Sequence, residues 1–144
     1  MTAAAHPWRD ARDHGPRVDI RWHFGGDAAN VTWHGDDSVT ISLDKTAGQA
    51  ERRCTLQHEL THLRRGRPPI GVAAKRAEEA RVRAEAARLL IPFDTLVEAA
   101  RWTSSWHEMA EYCWVDYPTM RNRLATCTDE EAAVLREIDG ERHP

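Results

Sequence analysis

The sequence is poor in cysteine, has no long apolar run and carries no excess of positive charge, and each shortage removes a class of protein. Cys54, Cys113 and Cys127 stand far apart, with no C-x-x-C pair among them. An odd, scattered set gives neither a disulfide framework nor a cysteine zinc site, so the three read as reduced, buried thiols. No stretch approaches the ~20 apolar residues that a membrane-spanning helix needs. Met1 to Arg17 lack the apolar middle of a secretory signal, so a cytoplasmic location is the expectation. The formal net charge is −3, whereas a nucleic-acid-binding domain generally presents a basic face. Against these shortages stand six tryptophans, Trp8, Trp22, Trp33, Trp102, Trp106 and Trp114. Large amphipathic rings of this kind are expected to fill the core and the gaps between helices.

A chain of 144 residues suggests one domain, long enough to bury a core without staples. Residues 1–17 are polar, contain Pro7 and Pro16, and read as a flexible lead-in to a single domain over 18–144. Val18-Asp19-Ile20-Arg21-Trp22-His23-Phe24 alternates apolar and polar residues, the pattern of a half-buried strand. Gly25-Gly26-Asp27 marks a turn. Val31-Thr32-Trp33 reads as a second strand, Gly35-Asp36-Asp37 as another turn, and Val39-Thr40-Ile41-Ser42-Leu43 as a third strand. Tight turns between short strands predict a small antiparallel sheet.

From about Thr46 the period becomes helical, with Leu56, Leu60 and Leu63 on one stripe. Arg64 and Arg65, then Gly66, then Pro68 and Pro69 form a helix stop. A second helix is predicted from about Ala74 to Leu90, ending before Pro92. Asp94 is placed as the cap of a short helix through Ala100. Ser105 with Glu108, and Thr128 with Glu131, each fit a capping box. Pro118 suits a first helical turn. Strands first and helices after predict an α+β fold.

The sharpest local feature is His58-Glu59-Leu60-Thr61-His62. Residues i and i+4 share a helical face, so both imidazoles can address one metal ion, and imidazole nitrogen suits Zn²⁺. Glu59 sits about 100° around the helix and can take a proton from zinc-bound water. Leu56, Leu60 and Leu63 lie roughly 140–200° from His58 on the wheel, so the helix can bury one side and show the histidines to a cleft. A catalytic zinc wants a third protein ligand and an open fourth position. No histidine lies between His62 and His107, which leaves Glu78, Glu79 and Glu85 of the next helix. Glu78 and Glu79 flank the stripe of Val82, Ala86, Leu89 and Leu90 by similar angles, and geometry does not choose between them. Glu85 points further away.

In three blocks the chain resembles the ImmA/IrrE family of metallopeptidases, in particular its short actinobacterial and phage-encoded members. The first block is Glu51-Arg52-Arg53-Cys54-Thr55-Leu56-Gln57-His58-Glu59-Leu60-Thr61-His62-Leu63. The second runs from Glu79 through Ala86-Ala87-Arg88 into Leu89-Leu90-Ile91-Pro92. The third is the β segment ending at Leu43, and the stretch from Trp106 to Leu124 is similar as well. The resemblance implies a zincin-like fold and a zinc ion held by His58, His62 and Glu79, with Glu79 thirteen residues before Pro92. It further implies Glu59 as general base, a strand edge beside the cleft that takes an extended peptide, and a protein substrate of the transcriptional-repressor type. Where many relatives carry Asp or Asn four residues after the ligand glutamate, this chain has Arg83, which cannot accept a hydrogen bond.

Two other readings compete. Ser105–Cys113 and Pro118–Leu124 have the layout of a helix-turn-helix, with Arg121, Asn122 and Arg123 placed to meet DNA. Alternatively, zinc only locks helices together without peptidase activity, in which case His107, His23 or His34 is the candidate fourth ligand. Tyr112, Tyr117 and His107 are candidates, by chemistry alone, for stabilising an oxyanion. Trp33 is a candidate for gripping substrate.

Overall fold

A computed structural model of the chain describes residues 1–14, 17–26 and 29–143. A short helix, α1 (Pro7–Asp13), precedes three strands, β1 (Val18–His23), β2 (Asn30–Trp33) and β3 (Val39–Asp44). Six helices follow: α2 (Gln49–Arg65), α3 (Val72–Leu90), α4 (Phe93–Trp102), α5 (Trp106–Cys113), α6 (Tyr117–Ala125) and α7 (Asp129–Arg142). The class is α+β, as the order of elements predicts.

The sheet is mixed, not antiparallel. Its order is β1-β3-β2, with β1 parallel to β3 and β2 antiparallel to it. The expected β1–β2 hairpin does not form because β3 takes the central place. Val39, Ile41 and Leu43 are at most 1% exposed, and the strand with the most apolar face gains most by being flanked on both sides. Gly25 and Gly26, both at positive φ, carry the chain away from β1, a conformation open to glycine at little cost. The Gly25 N–H donates to Asp44 Oδ1 at the end of β3. Asp27 of the predicted turn, and Pro16 of the predicted lead-in, lie outside the described residues. The β2–β3 turn forms as expected, with Asp36 Oδ1 accepting from the Ser38 N–H and hydroxyl.

The lead-in is also more ordered than its composition predicts. Pro7 and Ala11 of α1 are buried, and the Ala5 N–H donates to the Leu89 carbonyl. A seven-residue helix has little intrinsic stability, and packing against a neighbour supplies it.

α2 separates two cores. Leu56, Leu60 and Leu63 pack with Val39, Ile41 and Leu43 beneath the sheet. Each such leucine contributes about 1.5–3 kcal/mol by leaving water. Cys54, on another side of α2, belongs to the helical core with Leu90, Ile91, Leu96, Met109 and Met120. α2 ends at Gly66, whose φ of 97° lets its N–H reach the carbonyls of His62 and Leu63. α3 begins at Val72, two residues before its predicted start. α4 is capped by Pro92 rather than Asp94; the Asp94 carboxylate instead accepts from the N–H groups of Thr2 and Thr95.

Of the two predicted capping boxes, that of Thr128 and Glu131 is complete. At Ser105 half of the box forms. The Glu108 N–H donates to the Ser105 hydroxyl, while the Glu108 carboxylate accepts from the Thr103 hydroxyl. Among the cysteines, Cys54 and Cys113 are buried, Cys127 is half-buried and all three are free thiols. The tryptophans depart from expectation. Trp8, Trp22, Trp102, Trp106 and Trp114 are exposed, with Trp8 stacked on Trp22. Trp33 is half-buried on the core side of β2, with the Arg67 guanidinium over its ring.

Candidate metal centre

The His58 and His62 rings stand one turn apart on α2, 4.9 Å between centroids and nearly edge to face. Glu79 of α3 lies across from them. Its Oε1 is 2.7 Å from His58 Nε2 and its Oε2 is 2.9 Å from His62 Nε2. The three side chains offer ligand atoms within 4.8 Å of one another. Both distances are within hydrogen-bonding range of an imidazole N–H and a carboxylate oxygen. The donor set of two imidazoles and one carboxylate is one that zinc accepts.

Glu78 and Glu85, the alternatives for the third position, are turned elsewhere. Arg65 Nη2 is 3.1 Å from Glu78 Oε2 and its Nη1 is 3.2 Å from Glu85 Oε2, and Arg64 also pairs with Glu85. These ion pairs fasten α3 to α2 just past the histidines. Glu79, about 100° around the helix from Glu78, is left on the histidine side.

Glu59 is 7% exposed. Burial, with the Glu79 carboxylate nearby, pushes its carboxyl up to about 7. A cation at the cluster acts in the opposite sense, favouring the carboxylate. Burial also lowers the His58 imidazole below its ordinary value, against the pull of Glu79, and so favours the neutral ring that a metal requires.

The cluster opens on a cavity of about 600 Å³. Leu43, Asp44 and Ala47 form one wall; Thr55, Glu59 and the histidines form the floor; Glu79, Arg83, Ala86 and Ala87 form a second wall. Nothing in the sequence marks the third wall. Asp116, Pro118, Thr119 and Asn122, from the start of α6, line it. The segment reads from sequence as the second helix of a DNA-binding pair. Instead Asn122 turns to the cavity and Arg123 is fully buried, donating to the Ile91 carbonyl and to Glu131. Cys54 lines the cavity too. Its spacing of four from His58, which is itself four from His62, is a legible signal that the three residues share a face.

The remaining candidates are not brought to the cluster. His107 stacks on Tyr117, the Tyr112 hydroxyl donates to Glu98, His23 pairs with Ser42 and His34 with Thr40. None of His107, Tyr117, Tyr112, His23 and His34, nor Trp33, lines the cavity. No helix among the described residues is long and apolar enough to cross a membrane. Comparison of the chain with protein-family models, with curated proteins and with solved structures finds no match in any of the three.

Proposed function

We propose that the chain is a zinc-dependent endopeptidase of zincin-like architecture, acting in the cytoplasm on a regulatory protein of the repressor type. One observation carries the reading: His58, His62 and Glu79 bring ligand atoms within 4.8 Å of one another, each imidazole Nε2 facing an oxygen of Glu79, with buried Glu59 lining the same open cavity. His58, His62 and Glu79 would hold the metal. Bound zinc supplies a Lewis acid for the substrate carbonyl and makes water available as hydroxide near neutrality. Glu59 takes the proton from the attacking water and returns it to the leaving amine. The walls of the cavity hold the substrate on either side of the scissile bond. β2, at the edge of the sheet and just after cavity-lining Ala29, offers unpaired backbone groups to an extended peptide.

Two points favour catalysis over a purely structural zinc. A structural site usually has four protein ligands, and among the described residues the cluster has three. The cluster also faces a cavity large enough for a peptide. Against a DNA-binding helix pair stands the burial of Arg123.

The test is metal content of the purified protein beside its His58→Ala variant, followed by hydrolysis of a repressor-type protein by Glu59→Gln. One zinc per chain, lost in His58→Ala, is expected. Glu59→Gln should keep its zinc and lose roughly 10²–10⁴-fold in rate. A wild-type protein that takes up no zinc when it is supplied sinks the reading.

A further inference from the structure

Arg83 lines the cavity one helical turn beyond Glu79, with Nε 3.8 Å from Glu79 Oε1. That contact is its only ion pair among the described residues, and its side chain is 61% exposed. The other arginine of the cavity is already engaged. Arg52 donates to the carbonyls of Ala47 and Lys45 and lies over the Trp22 ring. Of the other carboxylates lining the cavity, Asp44, Glu51, Glu59 and Asp116, none forms an ion pair with Arg83, and Glu59 is buried. Asp44 accepts from Gly25 and Thr46, Asp116 caps α6 through the Thr119 N–H, and Glu51 is in the first turn of α2, seven residues before His58.

Without metal, Glu79 is the counter-charge of Arg83. A dication bound by Glu79 draws on the same carboxylate and places a second positive charge beside the guanidinium. Two cations facing one open cavity are relieved by an anion, and a guanidinium matches a carboxylate with two parallel N–H donors. We infer that Arg83 is a substrate-binding group that takes a carboxylate of the peptide next to the scissile bond, so that the site selects acidic peptides. The inference rests on the metallopeptidase reading above. The carboxylate has two sources: an Asp or Glu side chain, which keeps the cut internal as proposed above, or the C-terminus of the substrate, which would make the same zinc chemistry carboxy-terminal.

The experiment uses the full zinc-loaded chain and calorimetry with three small probes: acetyl-Gly-Gly, its C-terminal amide, and acetyl-Gly-Asp-amide. Either carboxylate probe should bind at least about tenfold tighter than the neutral amide; the free C-terminus winning identifies one source and the aspartyl probe the other. In Arg83→Ala the ratio should fall at least about fivefold, and Arg83→Lys should restore part of it, since an ammonium keeps the charge and loses the fork. Because linkage is reciprocal, the preferred probe should tighten zinc binding in the wild type by the factor that zinc tightens the probe, and by less in Arg83→Ala. Arg83 is an exposed helical position, so alanine there is well tolerated. Zinc bound normally but with the same probe preference in Arg83→Ala overturns this inference alone. A wild-type chain that binds no zinc overturns both readings.

Discussion

Arg65 holds the carboxylate of Glu78, while its neighbour Glu79 meets the two histidines. Glu78 and Glu79 are about 100° apart on α3. Once Glu78 is turned to Arg65, at the end of α2 beyond His62, Glu79 faces back along α2 to His58 and His62. The interhelical ion pair therefore agrees with the rotation that buried Val82, Ala86 and Leu90 give α3, although an exposed pair of this kind adds little to global stability.

Replacing each glutamate in turn separates these roles. Glu79→Ala should weaken zinc binding by more than the roughly 10–100-fold that loss of an outer partner costs. Glu78→Ala should stay within about tenfold, because Arg65 retains Glu85 and α3 keeps its packing. Competition against a chromophoric chelator measures both. The reverse ranking would mean that Glu78 is the ligand and that α3 is rotated by one residue.

What was legible in the sequence is what is local. The helical face of His58 and His62, the glycine stop at Gly66 and the capping box at Thr128 each depend on residues within one turn or two. Helix geometry left Glu78 and Glu79 open and only the resemblance implied Glu79; in the structure Arg65 of the neighbouring helix meets Glu78 while Glu79 meets the histidines. The sheet order escaped because alternation is the same in a parallel and an antiparallel strand, and only the burial of β3 shows that it is central. α1 escaped because its stability comes from where Pro7 and Ala11 pack. The third wall of the cavity escaped for the same reason: nothing around Asn122 marks it as close to a histidine sixty residues earlier. The tryptophans misled because a large ring counts as core by type, while most of these lie on the surface.

That placement has an optical consequence. With five of the six indoles exposed, acrylamide should quench most of the native emission, nearly as effectively as in denaturant. Strong protection of the native fluorescence would place the indoles in the core after all.

Glu131 ties three helices together. Its carboxylate accepts from Arg88 of α3, from Arg123 of α6 and from the Thr128 N–H at the start of α7. Burial alone would raise it, but these hydrogen bonds outweigh burial and hold it down at about 2, against an ordinary 4.5. A carboxyl lowered in the folded state stabilises above the unfolded value and loses that contribution as pH falls through the folded one. The difference corresponds to about 3 kcal/mol, present above about pH 4.5 and lost toward pH 2. Glu131→Gln should therefore cost about 3–5 kcal/mol at pH 7, where it strands buried Arg123. The gap between variant and wild type should narrow as pH drops below 4.5. Urea unfolding at pH 7 and pH 3 checks it, and a gap independent of pH would show that the carboxylate charge is not what holds the helices.

The thiols report on the cavity without any substrate. Burial pushes Cys54 and Cys113 each up to about 11, and burial raises half-buried Cys127 as well. Thiolate is the reactive form, so reaction with a disulfide reagent at pH 8 should be slow at all three, with Cys127 first because a reagent can reach it. Cys54 differs from Cys113 in one respect: it lines the cavity one turn before His58. Zinc that fixes His58 and Glu79 stiffens the wall beside Cys54, and local opening must then work against metal binding. Adding zinc should slow labelling of Cys54 by at least about tenfold at a concentration ten times the dissociation constant, while Cys127, outside the cavity, keeps its rate. Mass mapping of the labelled peptides distinguishes the three sites. Equal slowing at Cys54 and Cys127 would indicate a global effect of zinc on the fold, and no slowing at Cys54 would separate the metal from this end of α2.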